Sequence, residues 1–571
     1  MAQMTGGELL LKCLKVEGVD TMFGVLDGSY NPFLAKLKDY GMRLIAPRHE
    51  AAAAHMADAY ARITGRPAVV VGGIGPGASN MISGVITAYA EGTPLVVISG
   101  QRRRNIIYPD RGGSFQNVPL LDLYRPVTKW SAGVRDWRRI PEILRKAFRA
   151  ATGGRPGPVY VEIPEDVLRE ANDAGDADVW EPADRYHGRL GVGDPELIEQ
   201  AAEMLASAER PFMHAGTGVA WAGAWDEFRA LADYLAAGVT TSLGARGVFP
   251  EDHPRFFHPL DFDALQAARG EADVVLAVGS RIGELEHWGK PPFWGDPSSQ
   301  KFIQIDSDPA SIGLNRPVDI GVVADAKAAL SALLKAVRKR TAPKQESPEW
   351  GRYRELSRAW QQQKEMALNQ EGNGGVNPGR MVQTIRKFFP RDAITVMDGG
   401  NTSLWTASFN PIYEPRSYLY TAKFGHLGTG LPYALGAKLA APDRQVYLIS
   451  GDGAMGFNIQ ELETAARYGI PVVVIVSVDR GWGMERSSQI FAGIEGMVAT
   501  ELNPEARYDK VAEAFGCHGE LVESLDQLEP ALERSVESGK PALIQVVVDP
   551  MANMAPPGIV EFGSMVYRAE D

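Results

Sequence analysis

Short runs rich in Val and Ile alternate with longer amphipathic stretches along the chain, at Ala68 to Val71, Leu95 to Ile98, Val274 to Val278, Phe302 to Ile305, Val446 to Ile449 and Val472 to Val476. Runs that are apolar without interruption suit strands covered on both faces, so the pattern predicts parallel sheets flanked by helices. Two stretches break it: Glu170 to Gly193, rich in Asp, Gly and Ala, and Lys339 to Asn377, charged and Gln-rich. Boundaries placed there divide the 571 residues into three doubly wound α/β domains, expected at 1–180, 190–340 and 365–550 with a tail over 551–571. A helix is predicted inside the second boundary, over Pro348 to Leu368.

The first and third domains repeat one frame. Strand Ala68 to Val71 runs into Gly73-Ile74-Gly75, then Asn80, Thr87-Ala88 and Pro94 before the next strand. Strand Val446 to Ile449 runs into Gly451-Asp452-Gly453, then Asn458, Thr464-Ala465 and Pro471. Similarity of this kind arises from duplication or from the shared physics of doubly wound sheets; the informative difference is Ile74 against Asp452. A carboxylate at the carboxyl end of a parallel strand stands where ligands bind in such sheets.

Asp452 opens a helix at a Gly-Asp-Gly turn, so the N–H groups of Gly453, Ala454 and Met455 are suited to phosphate oxygens and the carboxylate to a bridging divalent cation. Alone, such a turn is ordinary. Asp479, 27 residues further on and just past the next strand, supplies a second hard oxygen, and the turn Arg480-Gly481-Trp482-Gly483 offers carbonyls to complete a Mg²⁺ shell.

The composition narrows the partners. Lys and Arg total 59 against 71 for Asp and Glu, a net charge of -12 that argues against a nucleic-acid binder. Two cysteines, Cys13 and Cys517, exclude a disulfide framework and suit a reducing cytoplasm. No long uninterrupted apolar span argues for membrane association, and Leu9 to Val16, interrupted by Lys12 and Lys15, reads as a first helix rather than a signal peptide.

With the Gly-Asp-Gly turn and Asp479, the chain resembles the thiamine-diphosphate enzymes of the acetolactate synthase and pyruvate decarboxylase superfamily. The resemblance implies pyrimidine-binding, central and diphosphate-binding domains, thiamine diphosphate with Mg²⁺, and metal ligation by Asp452, Asp479 and the carbonyl of Gly481. Asp479 departs from the family's usual Asn. Pro47-Arg48-His49-Glu50 resembles the segment whose glutamate binds the cofactor's aminopyrimidine, which makes Glu50 the expected catalytic carboxyl: it shifts the pyrimidine to the imino tautomer that deprotonates the thiazolium. Gly425-His426-Leu427-Gly428 resembles the loop that contacts the 4′-amino group through Gly425 and wedges the cofactor bent with Leu427. Gly400-Asn401-Thr402 resembles a second diphosphate contact, and Phe115-Gln116 a loop whose Gln faces substrate. The central domain, with Gly216 and Ile305 to Pro309, resembles one that in some relatives holds FAD or an ADP-like nucleotide. The resemblance also implies a homodimer or homotetramer in which Glu50 and Asp452 of one site come from different chains.

Three reactions fit this frame. Phe23 to Ser29 stands where synthases usually carry Pro-Gly-Gly, the paired histidines of many simple decarboxylases are absent, and His49 and His55 are not adjacent. Arg102-Arg103-Arg104 suits CoA phosphates or a solvated face, and the apolar tail resembles those that fold over CoA. These features favour a 2-hydroxyacyl-CoA lyase, related to oxalyl-CoA decarboxylase, that cleaves C1 from C2 of an acyl-CoA to release formyl-CoA; Glu495, in a stretch expected to line the acyl pocket, is then the candidate for the substrate hydroxyl. The alternatives are an acetolactate synthase-like 2-oxo acid decarboxylase and carboligase, a simple 2-oxo acid decarboxylase that protonates the remnant, and, of another class, a non-catalytic cofactor-binding paralogue, against which the retention of Glu50 argues.

Overall fold

The computed structural model describes residues 3–188, 190–370 and 374–566. Three parallel sheets carry the chain. The first runs in the spatial order Arg43–Ile45, Thr21–Val25, Ala68–Gly72, Leu95–Gln101, Val159–Pro164, Ser131–Gly133. The third runs Tyr418–Leu419, Ile394–Asp398, Val446–Gly451, Val473–Val478, Ala542–Val547, His518–Val522. Numbered within its own sheet, each has the order 2-1-3-4-6-5, so the repeated frame extends to the topology of the whole sheet. The middle sheet, Gly238–Thr241, Pro211–Ala215, Val274–Val278, Lys301–Asp306, Ile320–Val323, has the order 2-1-3-4-5.

The described residues form two compact units. One combines the chain up to 188 with 423–442 and 458–470; the other takes the remainder. Helices Gly430–Ala440 and Glu461–Tyr468, which follow the third sheet's strands in sequence, therefore belong to the first unit.

In that unit helix Glu50–Thr64 is the central element. Its Ala-rich run Ala51 to Ala54 is buried and lets neighbours approach closely. A Cβ at Gly436 would stand 2.3 Å from the carbonyl oxygen of Met56, and one at Gly84 2.5 Å from the Cβ of Ala54. Between the first pair of helices, buried Asp58 accepts from Arg62 Nε at 2.8 Å and from the Tyr433 hydroxyl. The first expected boundary is structured: Ala171–Asp173 pairs antiparallel with Gln3–Thr5, Trp180 lies under the Arg145 guanidinium, and Tyr186 and His187 reach Glu17.

In the second unit the predicted helix is present as Trp350–Leu368. Trp350 and Tyr353 pack with Phe212 and Phe257 of the middle layer, and Trp360 with Leu260, Met397 and Tyr418. The charged surface of this segment hides a buried aromatic stripe that ties two sheets together. Of the expected linker, residues 371–373 lie outside the described residues, as do 567–571 of the expected tail. No helix among the described residues is long and apolar enough to cross a membrane.

Replacing Asp58 with Ala takes the carboxylate from the Arg62 cation, whose side chain is 16% exposed; breaking a fully buried pair costs about 3–5 kcal/mol, and this partly exposed one is expected at or below the lower end of that range. The expected outcome is a clearly lowered urea midpoint for the first unfolding transition; a loss below about 1 kcal/mol would show the pair to be dispensable.

Candidate functional site

Two constellations stand at the switch points of the two like sheets, one in each unit.

In the second unit the parallel register aligns Gly451 with Ser477 and Asp398 with Ser450. Three adjacent strands thus release Gly399 to Asn401, Gly451-Asp452 and Asp479 at one sheet edge. This is why a separation of 27 residues places two carboxylates together. Asp452 and Asp479 are 3% and 5% exposed. Asp452 accepts from the backbone N–H groups of Gly453 and Arg480, both at 2.8 Å. Arg480 adopts φ 64°, which turns its N–H onto Asp452. At Gly481 a Cβ would fall 2.0 Å from Nη2 of Arg486 and 2.5 Å from the carbonyl oxygen of Thr500, so only glycine fits there. Gly400, Asn401, Thr402, Gly453, Ala454 and Met455 surround the pair, and all of them except Gly400 are buried.

Burial first, and then the neighbouring Asp479, pushes the Asp452 carboxyl up to about 7. Asp479 is also raised by burial, against the opposing pull of the Asn553 amide and the Arg486 guanidinium. Buried Asn401 Oδ1, Ser403 Oγ and Asn553 Oδ1 lack hydrogen-bond partners. Two buried carboxylates with unsatisfied oxygens beside them fit a hard divalent cation and the anion it carries. No group of three or more His, Cys, Asp or Glu side chains forms a metal cluster among the described residues, so carbonyls and ligand oxygens would complete the shell.

In the first unit Glu50 starts its helix, with His49 as N-cap: His49 Nδ1 accepts from the N–H of Ala51 at 3.1 Å. Buried Glu461 accepts from the backbone N–H of Arg48 at 3.1 and 3.0 Å and so fixes the approach to Glu50. Asn80 Nδ2 donates to Glu50 Oε2 at 2.9 Å. Its counterpart in the repeat, Asn458, donates to the carbonyl of Gly428 at 2.7 Å, which holds the loop of Gly425 and Leu427. Gly425 is exposed with φ 64° and Leu427 is half-buried. His55 is buried and unpartnered against His426; burial pushes its imidazole down to about 3, so it is a neutral packing group. Gln116 is exposed with φ 58°, and its backbone lies so close to Gly75 that a Cβ there would meet the Gln116 carbonyl oxygen at 2.7 Å.

Asn80, Glu461, Asn553 and Arg486 were not singled out as site residues. Asn80 had a signal in its match to Asn458; the others act across tertiary contacts. Glu495 is exposed in the loop after helix Gly483–Phe491, which the Gln489 side chain closes by bonding both backbone groups of Val498.

Family models for the N-terminal, central and C-terminal domains of thiamine pyrophosphate enzymes match residues 4–122, 198–333 and 398–546. The chain belongs to the thiamine pyrophosphate enzyme family. It is 34% identical over 574 residues to a probable acetolactate synthase large subunit of Methanocaldococcus jannaschii, covering 97% of this chain and 94% of that protein. It is 32% identical to the acetolactate synthase isozyme 3 large subunit of Escherichia coli, with 97% of each covered. It is 31% identical to the sulfoacetaldehyde acetyltransferase of Alcaligenes xylosoxydans xylosoxydans, covering 95% and 93%. The three matched domains bear out the expected fold, and thiamine diphosphate is the cofactor that the family's binding domains imply.

These relatives overturn the 2-hydroxyacyl-CoA lyase expectation. The residues that suggested CoA have other partners in the fold. Arg102 and Arg103 pair with Glu165, and Arg104 pairs with Asp166 and Glu170. The apolar tail supplies Asn553 to the carboxylate site, and its last described helix, Ile559–Val566, packs against 284–289. Nor do the central residues support a nucleotide there: the N–H of Gly216 donates to Val278 and that of Gly218 to Gly279.

Without cation or cofactor, the raised Asp452 carboxyl makes the folded chain bind more protons than the unfolded chain between its ordinary 3.8 and about 7. Stability therefore falls as pH rises through that window. Asp452→Asn is expected to melt above the parent at pH 8, with the gap closing toward pH 4. Parallel melting curves across that range would contradict the assignment.

Proposed function

We propose that this chain is the catalytic subunit of an acetolactate synthase-like carboligase, which uses thiamine diphosphate and Mg²⁺ to decarboxylate a 2-oxo acid and join the remnant to a second carbonyl compound. The observation that carries this reading is similarity over nearly the whole length to proteins named acetolactate synthase large subunit, at 34% and 32% identity. The bond between C1 and C2 of the donor breaks to release CO₂, a carbon–carbon bond forms to the acceptor carbonyl, and a proton ends on the new hydroxyl. When bound, thiamine diphosphate supplies the carbon nucleophile and the electron sink.

The residues of this chain do the rest. Asp452, Asp479 and the Gly481 carbonyl would hold Mg²⁺, with diphosphate oxygens at Gly400 to Thr402 and at the helix start Gly453 to Met455. Asn80 occupies one oxygen of Glu50, leaving Oε1 to hold a proton at the pyrimidine nitrogen. Gly425 and Leu427 would receive the aminopyrimidine and fix its bend. Gln116 would orient the substrate. The loop 490–498, with exposed Phe491, Ile494 and Met497, would exclude water from the reacting carbons.

The loop that departs from Pro-Gly-Gly is held by its own Asp27. Asp27 accepts from the N–H groups of Ser29 and Ile74 at 2.8 and 2.7 Å, which fastens it to the first sheet's switch point. We read this altered wall as bearing on the acceptor rather than on the reaction. Exposed Phe115, Phe424 and Phe457 favour association with a second copy, and a two-chain site joins Glu50 of one to Asp452 of the other.

Incubation of the protein with pyruvate, thiamine diphosphate and Mg²⁺, with and without a second 2-oxo acid, is expected to release CO₂ and form a coupled hydroxy-keto acid. Glu50→Gln should lower turnover by roughly 100-fold or more while keeping cofactor affinity. Turnover by that variant at the parent rate would sink the mechanism, and a failure to decarboxylate any 2-oxo acid would sink the reaction class.

A further inference from the structure

The C-terminal segment enters the carboxylate site through one residue. Asp549 caps the short helix Pro550–Asn553, accepting from the N–H groups of Met551 and Ala552 at 2.8 and 2.9 Å. That cap sets Asn553, which is 3% exposed, against the site. Its Nδ2 donates to Asp479 Oδ2 at 2.9 Å. Its carbonyl accepts from Asn401 Nδ2 at 3.0 Å and from Trp405 Nε1 at 3.3 Å. Ser487 Oγ donates to the next carbonyl, that of Met554, at 3.3 Å.

Arg486 stands against the same turn. Its Nη1 donates to the Asp479 carbonyl at 3.2 Å and lies 3.8 Å from Asp479 Oδ2, and its Nη2 donates to the Arg480 carbonyl at 2.8 Å. Both contacts bear on the position where the family pattern has Asn. An amide there brings its own N–H and no charge. A carboxylate brings a second acceptor oxygen, which must find a donor once buried, and a negative charge beside that of Asp452.

The geometry points to Asn553 as a positioning residue for the cation: it holds Oδ2 of Asp479 and so turns Oδ1, which accepts from the Gly481 N–H at 3.3 Å and keeps a second lone pair, toward the metal, while Arg486 offsets the added charge. The C-terminal segment is thus part of the cofactor-binding machinery through a contact that the Asp makes necessary. This inference rests on Asp452 and Asp479 being the Mg²⁺ ligands.

The test uses the full chain and reads cofactor binding rather than turnover. Thiamine diphosphate binding is followed by calorimetry or by tryptophan fluorescence, Trp482 lying against Gly453, while Mg²⁺ is titrated. Asn553→Ala and the near-isosteric Asn553→Leu are each made in the parent and together with Asp479→Asn, and melting without cofactor checks each fold. In the parent, both variants are expected to raise the Mg²⁺ midpoint about tenfold, as loss of an outer partner of a metal ligand does. With Asp479→Asn the side chain carries its own N–H, and the same changes should move the midpoint less than about threefold. Equal shifts in both backgrounds would make Asn553 a packing residue and overturn the proposal, as would no shift in the parent. Parent binding that does not depend on Mg²⁺ would overturn the ligand assignment beneath it.

Discussion

Two carboxylates released at the ends of neighbouring parallel strands impose the constraint that the site around them answers. Asp452 and Asp479 are both buried, and their negative charges oppose each other where little water can screen them. The fold around them consists of responses to that cost. Backbone N–H groups of Gly453 and Arg480 point at Asp452, the Arg480 backbone takes a left-handed turn to do so, Arg486 stands against the turn, and Asn553 returns from the C-terminal segment to bond Asp479. These groups hold the carboxylates in place and leave negative charge uncompensated, an arrangement that suits a divalent cation.

The two like sheets show how one frame carries two tasks. Each has the order 2-1-3-4-6-5, and in each an Asn seven residues after the first glycine of the turn holds a second segment. Asn80 holds Glu50, and Asn458 holds the loop of Gly425 and Leu427. The equivalent of Asp452 is the buried, apolar Ile74, and there the anion is supplied instead by Asp27. In the proposed mechanism the first frame orients a proton-handling carboxyl, and the second gathers hard oxygens. The difference lies in single side chains at equivalent switch points.

Much of this was legible in the chain alone because it depends on local order. A strand, a glycine turn, a helix and a second strand bring Asp452 and Asp479 together whatever surrounds them, and a helix start at Glu50 follows from the segment before it. Asn553 lies 74 residues beyond the carboxylate it holds, and Glu461 lies 413 residues beyond Arg48, so neither has a local signature. The same limit produced the CoA expectation. Arg102 to Arg104 form a bare basic run in sequence, but their acidic partners Glu165, Asp166 and Glu170 lie across the sheet's next crossover. The helix Trp350–Leu368 was visible as a helix, but its role in joining two sheets was not, because its buried aromatic residues are diluted by charge.

If the two constellations act on one cofactor, and Glu50 and Asp452 come from different chains, each of two inactive variants keeps the half-site that the other lacks. Glu50→Gln and Asp452→Asn chains carrying different tags can be co-expressed and the mixed dimers isolated. A shared site predicts that the mixed dimer regains about half the parental decarboxylation of a 2-oxo acid, since one of its two sites is intact. Mixed dimers as inactive as either parent variant would contradict it.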